Sequence, residues 1–243
     1  EDLHLTAVGG ENVQTILADG LKEERSNSFS GSIDYTTHFG HWQANILAEA
    51  FYTDLSDVFV IESISPAIQE RRNGDGARVY GVNIDAKVAH GKEATFQLGF
   101  TAQRSRYKSN EVWTELEDGT PLTTKRMTRT PDYYGYFTFT SEPFKNFGFS
   151  LSGVYTGSMQ VPHLAGYIEQ DRMETTPDFI DCNFKLNYTF LLKEHVKLQL
   201  NAGVQNIFDQ FQKDLDKGTF RDAGYFYGPT APRSFFIGIK IMN

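Results

Sequence analysis

The stretch Val196–Gln205 reads VKLQLNAGVQ and alternates apolar and polar residues at almost every step. Residues 180–190 do the same, with Ile, Cys, Phe, Leu, Tyr and Phe at the even positions and polar residues between them. Because successive side chains of a β-strand point to opposite faces of its sheet, this period of two predicts strands with one apolar and one polar face. No part of the chain sustains helical spacing, so we expect an all-β fold.

The same alternation predicts nine long strands. Each is about long enough to cross a bilayer at a tilt, whereas strands of soluble sheets usually have about 5–6 residues. The central part of one face carries no charged residue on any strand, and the other face carries residues such as Asp85 and Lys185. The predicted strands are residues 27–38, 42–53, 78–89, 94–106, 132–141, 146–156, 178–190, 196–208 and 233–242.

Two architectures explain a face that avoids charge. A soluble β-sandwich buries that face in a core, whereas a membrane barrel turns it to lipid and turns the polar face to its lumen. The connections favour the barrel, because they alternate between short turns and long loops, as in outer-membrane barrels. The short connections are residues 39–41, 90–93, 141–144 and 191–195, and the long ones are about 54–77, 107–131, 157–177 and 209–232.

Composition agrees with a barrel and excludes several other classes. The net charge is -8 without a Lys/Arg run, which argues against a nucleic-acid partner. Cys182 is the single cysteine, so no internal disulfide is possible. Aromatic residues collect at both ends of the apolar faces, as the two girdles of a membrane barrel do. Those near short turns are Trp42, Phe147 and Phe190, and those near long loops are Tyr52, Tyr80, Tyr133 and Tyr155.

Nine strands cannot close a wide bore lined by Ser, Thr, Asn, Gln and charged residues. Single-chain bacterial barrels also have even strand numbers. We therefore expect residues 1–243 to form one part of a larger barrel, without a signal peptide in the chain.

Four segments resemble motifs of TonB-dependent outer-membrane receptors. They occur in the order and spacing of that family and span nearly the whole sequence. The four are Leu21–Phe29, similar to L-x-P-E-x-S-x-S-x-E with Glu23 in place of the proline; Arg129–Gly135, similar to R-x-P-x-H-x-G; Val204–Asp209, similar to V-x-N-L-F-D; and Ala231–Gly238, similar to the P-R-x-x-x-x-G opening of the last strand.

The resemblance implies an antiparallel up-and-down transmembrane β-barrel of 22 strands in the Gram-negative outer membrane, with this chain as its C-terminal nine strands. An N-terminal plug, which is absent from this chain, would fill the barrel and contact the TonB complex. The implied function is TonB-dependent active uptake of a scarce nutrient, with a ferric siderophore ahead of cobalamin and haem. Residues 157–163 and 220–229 resemble receptors of Bacteroides-type bacteria.

In this family the extracellular loops hold the small-molecule ligand, so loop residues are the candidates. His163 would ligate iron or haem, or else make a local hydrogen bond. Trp113 falls in the longest predicted loop, where it would touch ligand. A polar and aromatic cluster in the last long loop suits an anionic or planar ligand, or else orders that loop. This cluster is Arg221, Asp222, Tyr225 and Tyr227.

Other kinds of site find little support in the sequence. Asp54, Asp57 and Glu62 are candidate ligands for a cation such as calcium, although acidic loop residues are usually only solvated. No nucleophile, base and acid occur in a recognisable arrangement, so we expect a transporter without a cofactor or resident metal, and not an enzyme. Two further classes stay open, which are a soluble β-sandwich binding module and a passive porin.

Overall fold

A computed structural model describes residues 14–65, 68–193, 196–229 and 231–242. These residues form strands, turns and loops without a helix, and hence without a helix long and apolar enough to cross a membrane. The strands are β1 (Gln14–Leu17), β2 (Arg25–Phe39), β3 (Trp42–Ser56), β4 (Phe59–Ser65), β5 (Ile68–Asn73), β6 (Ala77–His90), β7 (Ala94–Glu115), β8 (Pro121–Arg126), β9 (Tyr133–Phe144), β10 (Phe147–Thr156), β11 (Gln160–His163), β12 (Arg172–Thr175), β13 (Phe179–Lys193), β14 (Val196–Gln205) and β15 (Ser234–Met242).

The nine long strands form one antiparallel sheet, and all nine predicted strands are confirmed. Their order is β2-β3-β6-β7-β9-β10-β13-β14-β15, so each long strand pairs with the next along the chain, and β8 adds to the side of β7. Among the described residues β2 and β15 remain unpaired edges, and the sheet does not close on itself. The fold is therefore an open portion of an up-and-down barrel.

The predicted alternation of short and long connections is also confirmed. Three short turns use a residue with positive φ, namely Gly40 (62°), Gly91 (50°) and Asn146 (69°), which tight turns require. The fourth, residues 194–195, lies outside the described residues. The long connections are more structured than predicted, because β4 and β5 lie in the first, β8 in the second, and β11 and β12 in the third.

The apolar face of the sheet is exposed over most of its strands. Ile33, Ile84 and Ile237 keep 75%, 46% and 86% of their surface accessible, and no second layer of the described residues covers this face. A soluble sandwich would bury it beneath a second sheet, so that alternative is wrong. An apolar surface of this extent is instead what a membrane barrel presents to lipid.

The opposite face carries a network of polar side chains. Asn45 donates a hydrogen bond to Asp34 at 2.5 Å, and Asn83 donates one to Glu49 at 3.0 Å. Tyr136 donates one to Asp85 at 3.0 Å. Since these groups cross from strand to strand within one face, that face is the hydrated lumenal side expected of a wide barrel.

A small apolar core lies beyond the sheet, under the first long connection. Val58, Val60 and Ala77 are buried there, and Leu55, Tyr107 and Met127 pack against them. Beside this core, β1 pairs with β5 in parallel, which is the one departure from antiparallel order among the described strands. The long connections are therefore folded on the rim instead of extending freely into solvent.

Candidate functional site

Two of the long connections meet at one rim of the sheet. The first, called here the rim hairpin, comprises residues 157–178 with β11 and β12. The second, called the rim loop, comprises residues 206–233 and has no strand among its described residues. Because the rim loop lacks a backbone ladder, side chains must hold it in place.

His163 joins the rim hairpin to the rim loop. Its side chain is buried, and its ring stacks on Tyr225 with the centroids 3.6 Å apart and the planes 5° apart. Nε2 of His163 lies 3.0 Å from a carboxylate oxygen of Asp216, which is also buried. On the other side, Nδ1 lies 3.8 Å from the Glu174 carboxylate and has no hydrogen-bond partner. His163 therefore faces the interior of the loops.

The buried carboxylates of the rim loop bind backbone N–H groups. Asp216 accepts a hydrogen bond from the backbone of Asp222 at 3.0 Å. Asp222 accepts from the backbone of Leu164 at 2.8 Å and of Gly224 at 2.7 Å. A buried carboxylate is stable only with such donors, so both acids organise the loops and are not free to meet a ligand.

Two tyrosines of the rim loop share one carboxylate. Tyr225 and Tyr227 donate hydrogen bonds to the two oxygens of Asp214 at 2.8 Å and 2.5 Å. Burial and the nearby Asp214 carboxylate raise the pKa of Tyr227 to about 12 and raise the pKa of Tyr225 further. Burial alone would raise the pKa of Asp214, but the hydrogen bonds from the tyrosines outweigh it and leave that pKa below its ordinary value.

Arg129 connects a third long connection to this assembly. Its backbone N–H donates to the carbonyl of Gln160 at 2.7 Å. Its guanidinium donates to the carbonyls of Gly224 and Phe226 and lies 5.3 Å from the centroid of the Phe226 ring. The sequence alone does not reveal this role, because the partners lie 95 and 97 residues away. The three connections thus form one packed unit.

A cleft of about 520 Å³ opens beside the rim loop. Aromatic side chains form much of its wall, and Lys213 lies at its side. Clefts of this size with apolar walls and a few polar groups are typical ligand sites. The residues that line it are Pro177, Asp178, Phe179, Phe208, Asp209, Gln210, Phe211, Gln212, Lys213, Asp214 and Tyr227.

Residues 5–207 match the family described as TonB dependent receptor-like, beta-barrel. The chain belongs to the TonB-dependent receptor family. Members of this family are receptors and transporters of the Gram-negative outer membrane.

Solved structures share the fold of this receptor chain at low sequence identity. The ferric-catecholate import receptor Fiu from E. coli K12 is 20% identical, with a TM-score of 0.60, and the match covers 91% of this chain and 28% of that one. The FrpB iron transporter from Neisseria meningitidis is 18% identical (TM-score 0.57; 95% and 33% covered), and the copper transporter OprC is 15% identical (0.58; 92% and 32%). This chain thus spans about a third of the solved receptors that it matches. A search of curated proteins finds no match.

In this receptor chain four of the six predicted site residues come together, and Arg221 and Trp113 do not join them. His163, Asp222, Tyr225 and Tyr227 come together in the packed unit described above. Arg221 lies in the same loop but is exposed, and within the part of the chain that the structure describes its guanidinium donates only to the carbonyl of Gly218, at 3.2 Å.

The prediction that Trp113 lies in a loop is wrong. Trp113 is a half-buried residue of β7, which continues to Glu115 because β8 pairs with its outer part. This pairing has two register shifts, at Arg106/Glu111 and Val112/Thr114. The irregular register hides the period of two that would have revealed the strand.

The acidic residues considered for a cation do not converge. Asp54 pairs with Lys108 at 2.5 Å and Arg78 at 3.2 Å, and Glu62 pairs with Arg72 at 2.5 Å. Among the described residues no group of three or more His, Cys, Asp or Glu side chains is placed to hold a metal ion. Asp54 and Glu62 therefore form ion pairs with cations of the protein.

Proposed function

We propose that residues 1–243 are the C-terminal barrel portion of an outer-membrane receptor for TonB-dependent active uptake of an anionic metal chelate, with a ferric siderophore as the leading cargo. A plug outside this chain would contact the TonB complex. The chain itself would contribute lipid-facing strands and part of the extracellular ligand site.

The charge distribution of the rim loop is the observation that supports an anionic cargo. Asp216 and Asp222 are buried against His163 and backbone N–H groups. Lys217 and Arg221 are exposed on the same loop. The rim loop has four exposed cations, whereas only Asp209 and Asp214 of its four acids reach the surface. Its surface therefore carries an excess of positive charge in a chain of net charge -8.

The aromatic wall of the neighbouring cleft supports a ligand with planar groups. Phe208 and Phe211 line the cleft, and Lys213 brings a cation to the same wall. Aromatic faces suit a chelate with planar groups. The three carboxylates of the lining accept hydrogen bonds from the protein and balance Lys213, so the choice of an anionic cargo depends on the exposed cations of the rim loop and not on the cleft. The structural neighbours named for ferric-catecholate and iron import support the same class of cargo.

Haem and cobalamin are weaker alternatives. Haem uptake would use His163 as an iron ligand, but this side chain is 2% exposed and its Nε2 already contacts Asp216. Cobalamin would draw less on the exposed cations, since its charge is not concentrated on carboxylates or phenolates. The buried His163–Asp216 pair also has no access to a substrate, so we propose no enzymatic role for it.

Growth on defined nutrient sources tests the proposal. A strain deleted for the receptor gene is given single ferric siderophores, haem or cobalamin, and is complemented with the full-length receptor or its Lys217→Gln/Arg221→Gln variant. We expect the deletion to abolish growth on at least one ferric siderophore. We expect the variant to need roughly tenfold more of that chelate, because two exposed charge contacts are lost.

The control is Lys145→Gln, an exposed lysine at a short turn on the opposite rim. This variant should grow like the wild type. Unimpaired growth of the deletion strain on every source would contradict uptake, and growth that persists without TonB would show a passive porin instead.

A further inference from the structure

Two phenol groups and one carboxylate meet at the edge of the cleft beside the rim loop. The hydroxyl oxygens of Tyr225 and Tyr227 lie 2.8 Å and 2.5 Å from the two carboxylate oxygens of Asp214. These three residues are called here the oxygen triad. Asp214 and Tyr227 line the cleft, whereas Tyr225 is buried behind them. Within the described part of the chain no cation of the protein forms an ion pair with Asp214.

The surrounding side chains hold the oxygen triad in place. The ring of Tyr225 stacks on His163 with the centroids 3.6 Å apart. The ring of Tyr227 lies beside Phe179 with the centroids 5.7 Å apart. Gln212 fixes the backbone of both tyrosines, because its side-chain amide donates to the carbonyl of Tyr225 at 3.2 Å and accepts from the N–H of Tyr227 at 2.9 Å. The three oxygens are therefore held together before any ligand arrives.

The spacing of these oxygens suits the coordination sphere of a small, hard cation. Such a cation holds oxygen ligands at about 2.0–2.1 Å in octahedral geometry, so neighbouring ligand oxygens lie about 2.8–3.0 Å apart. The separations of 2.8 Å and 2.5 Å within the triad are close to this range. A cation could thus replace the two phenol protons with small shifts of the side chains, and the cleft would leave its other coordination positions open.

Charge balance favours a trivalent cation at the oxygen triad. Asp214 supplies one negative charge, and each phenol supplies another once it is ionised. Burial and the nearby carboxylate raise the pKa of both phenols, to about 12 for Tyr227. Such a phenol loses its proton at neutral pH only to a cation that strongly stabilises the phenolate. A trivalent ion meets this requirement, whereas a divalent ion such as Ca²⁺ does not.

We propose that the oxygen triad binds ferric iron directly, with Tyr225 and Tyr227 as phenolate ligands and Asp214 as a carboxylate ligand. On binding, two phenol O–H bonds break, three iron–oxygen bonds form and two protons pass to water. The iron stays ferric, and the three anionic ligands neutralise its charge. The exposed cations of the rim loop would hold an anionic chelator, and the triad would occupy the coordination positions that this chelator leaves free.

This role in uptake rests on the proposed function, but metal binding by the oxygen triad does not. Titration of the full-length receptor in detergent with ferric nitrilotriacetate tests the binding itself. Ferric iron on a phenolate gives a visible charge-transfer absorption, which a purely structural role of the tyrosines would not produce. We expect a single tightly bound iron with this absorption in the wild type.

Variants that keep the aromatic rings identify the ligands. Tyr227→Phe should keep a weaker absorption from Tyr225, and Tyr225→Phe/Tyr227→Phe should lose it. Asp214→Asn should weaken iron binding by at least roughly 100-fold, because residues that only orient a metal ligand already contribute about 10- to 100-fold. Tyr155→Phe is the matched control, because it removes a phenol that donates to another carboxylate of the same cleft, that of Asp178, at 2.8 Å. This variant should keep the full absorption.

Competition between metal ions tests the charge requirement on the unchanged protein. Redox-inert Ga³⁺ should displace the iron and give the ultraviolet absorbance of two tyrosinates at neutral pH, whereas millimolar Ca²⁺ should not displace it. No absorption in the wild type, absorption that persists in the double variant, or displacement by Ca²⁺ would overturn the proposal. Normal growth of the deletion strain on every ferric siderophore would instead contradict the proposed cargo and leave this metal site in place.

Discussion

The long strands of this receptor chain place polar and apolar side chains in the opposite way to the rim hairpin and the rim loop. In the strands apolar residues face outward, as Ile237 does with 86% of its surface exposed, and polar side chains line the inner face. At the rim, the polar side chains of His163 in the rim hairpin and of Asp216 and Asp222 in the rim loop are buried, and the surface carries Phe220, which is 78% exposed. The strands are ordered by backbone pairing and lipid, whereas the loops are ordered by buried polar contacts.

This difference predicts which substitutions the chain tolerates and which destabilise it. A strand residue that faces the lumen has water and neighbouring polar groups to accommodate a new charge. A rim residue such as Asp216 has a fixed set of donors, and losing one leaves a buried polar group unsatisfied. Substitutions in the two regions should therefore follow different rules.

The largest effect is expected from a charge on the lipid-facing side. Ile46 lies in the middle of β3 with 48% of its surface exposed. Ile46→Lys should destabilise the full-length receptor by about 2–4 kcal/mol, because a lysine near the bilayer midplane loses its hydration. Reversible unfolding by urea in lipid vesicles measures this change.

Leu47→Lys is the control one residue further along β3. Position 47 faces the lumen and pairs with Asp34 on one side and Asp85 on the other, so a lysine there gains two acidic neighbours. We expect its free energy of unfolding to change by less than about 1 kcal/mol. If Ile46→Lys cost no more than Leu47→Lys, the apolar face would not contact lipid.

A smaller effect is expected from removing the ring that joins the loops. His163→Ala takes the stacking partner from Tyr225 and leaves the buried Asp216 carboxylate with one donor fewer. The cost should be roughly 1–3 kcal/mol, confined to the rim. Limited trypsin digestion at Lys213 and Lys217 should become about 5- to 100-fold faster.

Tyr167→Ala provides the comparison in the same hairpin, because this ring is 55% exposed. It should leave the digestion rate unchanged, and both variants should retain the unfolding midpoint of the barrel. Equal digestion of His163→Ala and wild-type receptor would show that His163 does not hold the rim loop.

The sequence predicts the strands far better than the rim. Alternation finds all nine long strands because one physical demand, an apolar side toward lipid, repeats at every second residue. The residue types in the long loops also identify His163, Asp222, Tyr225 and Tyr227 as candidate site residues. It does not find Asp214, Asp216 or Arg129, since their partners lie in distant segments and depend on how the loops fold.

Short strands escape prediction for the same reason. β4, β5, β11 and β12 have only 7, 6, 4 and 4 residues. A stretch of this length offers too few alternations to distinguish a strand from a loop. Their pairing also places half-buried residues on both faces, as in β5.

The smallest effect is a pH dependence of rim-loop docking, set by the tyrosines around Asp214. The pKa of Tyr227 is raised to about 12 from an unfolded value of 10.0. A raised pKa stabilises the docked loop fully below pH about 10, and this contribution is lost as the pH rises through about 12. The lowered pKa of Asp214 has the opposite sign, so its contribution is present above 3.8 and fades in acid. Docking should therefore be strongest between these limits.

Tyrosinate absorbance of the full-length receptor against its Tyr227→Phe variant measures the upper limit. The difference titration should have its midpoint near about 12, because burial and the Asp214 carboxylate at 2.5 Å both disfavour ionised Tyr227. Asp214→Asn removes that charge but keeps an acceptor, so in its background the midpoint should fall below about 12, while burial still holds it above 10.0. A midpoint at 10.0 in the wild type would mean that Tyr227 is neither half-buried nor bonded to Asp214, and the rim loop would then lack one of the side-chain contacts that order it in place of a backbone ladder.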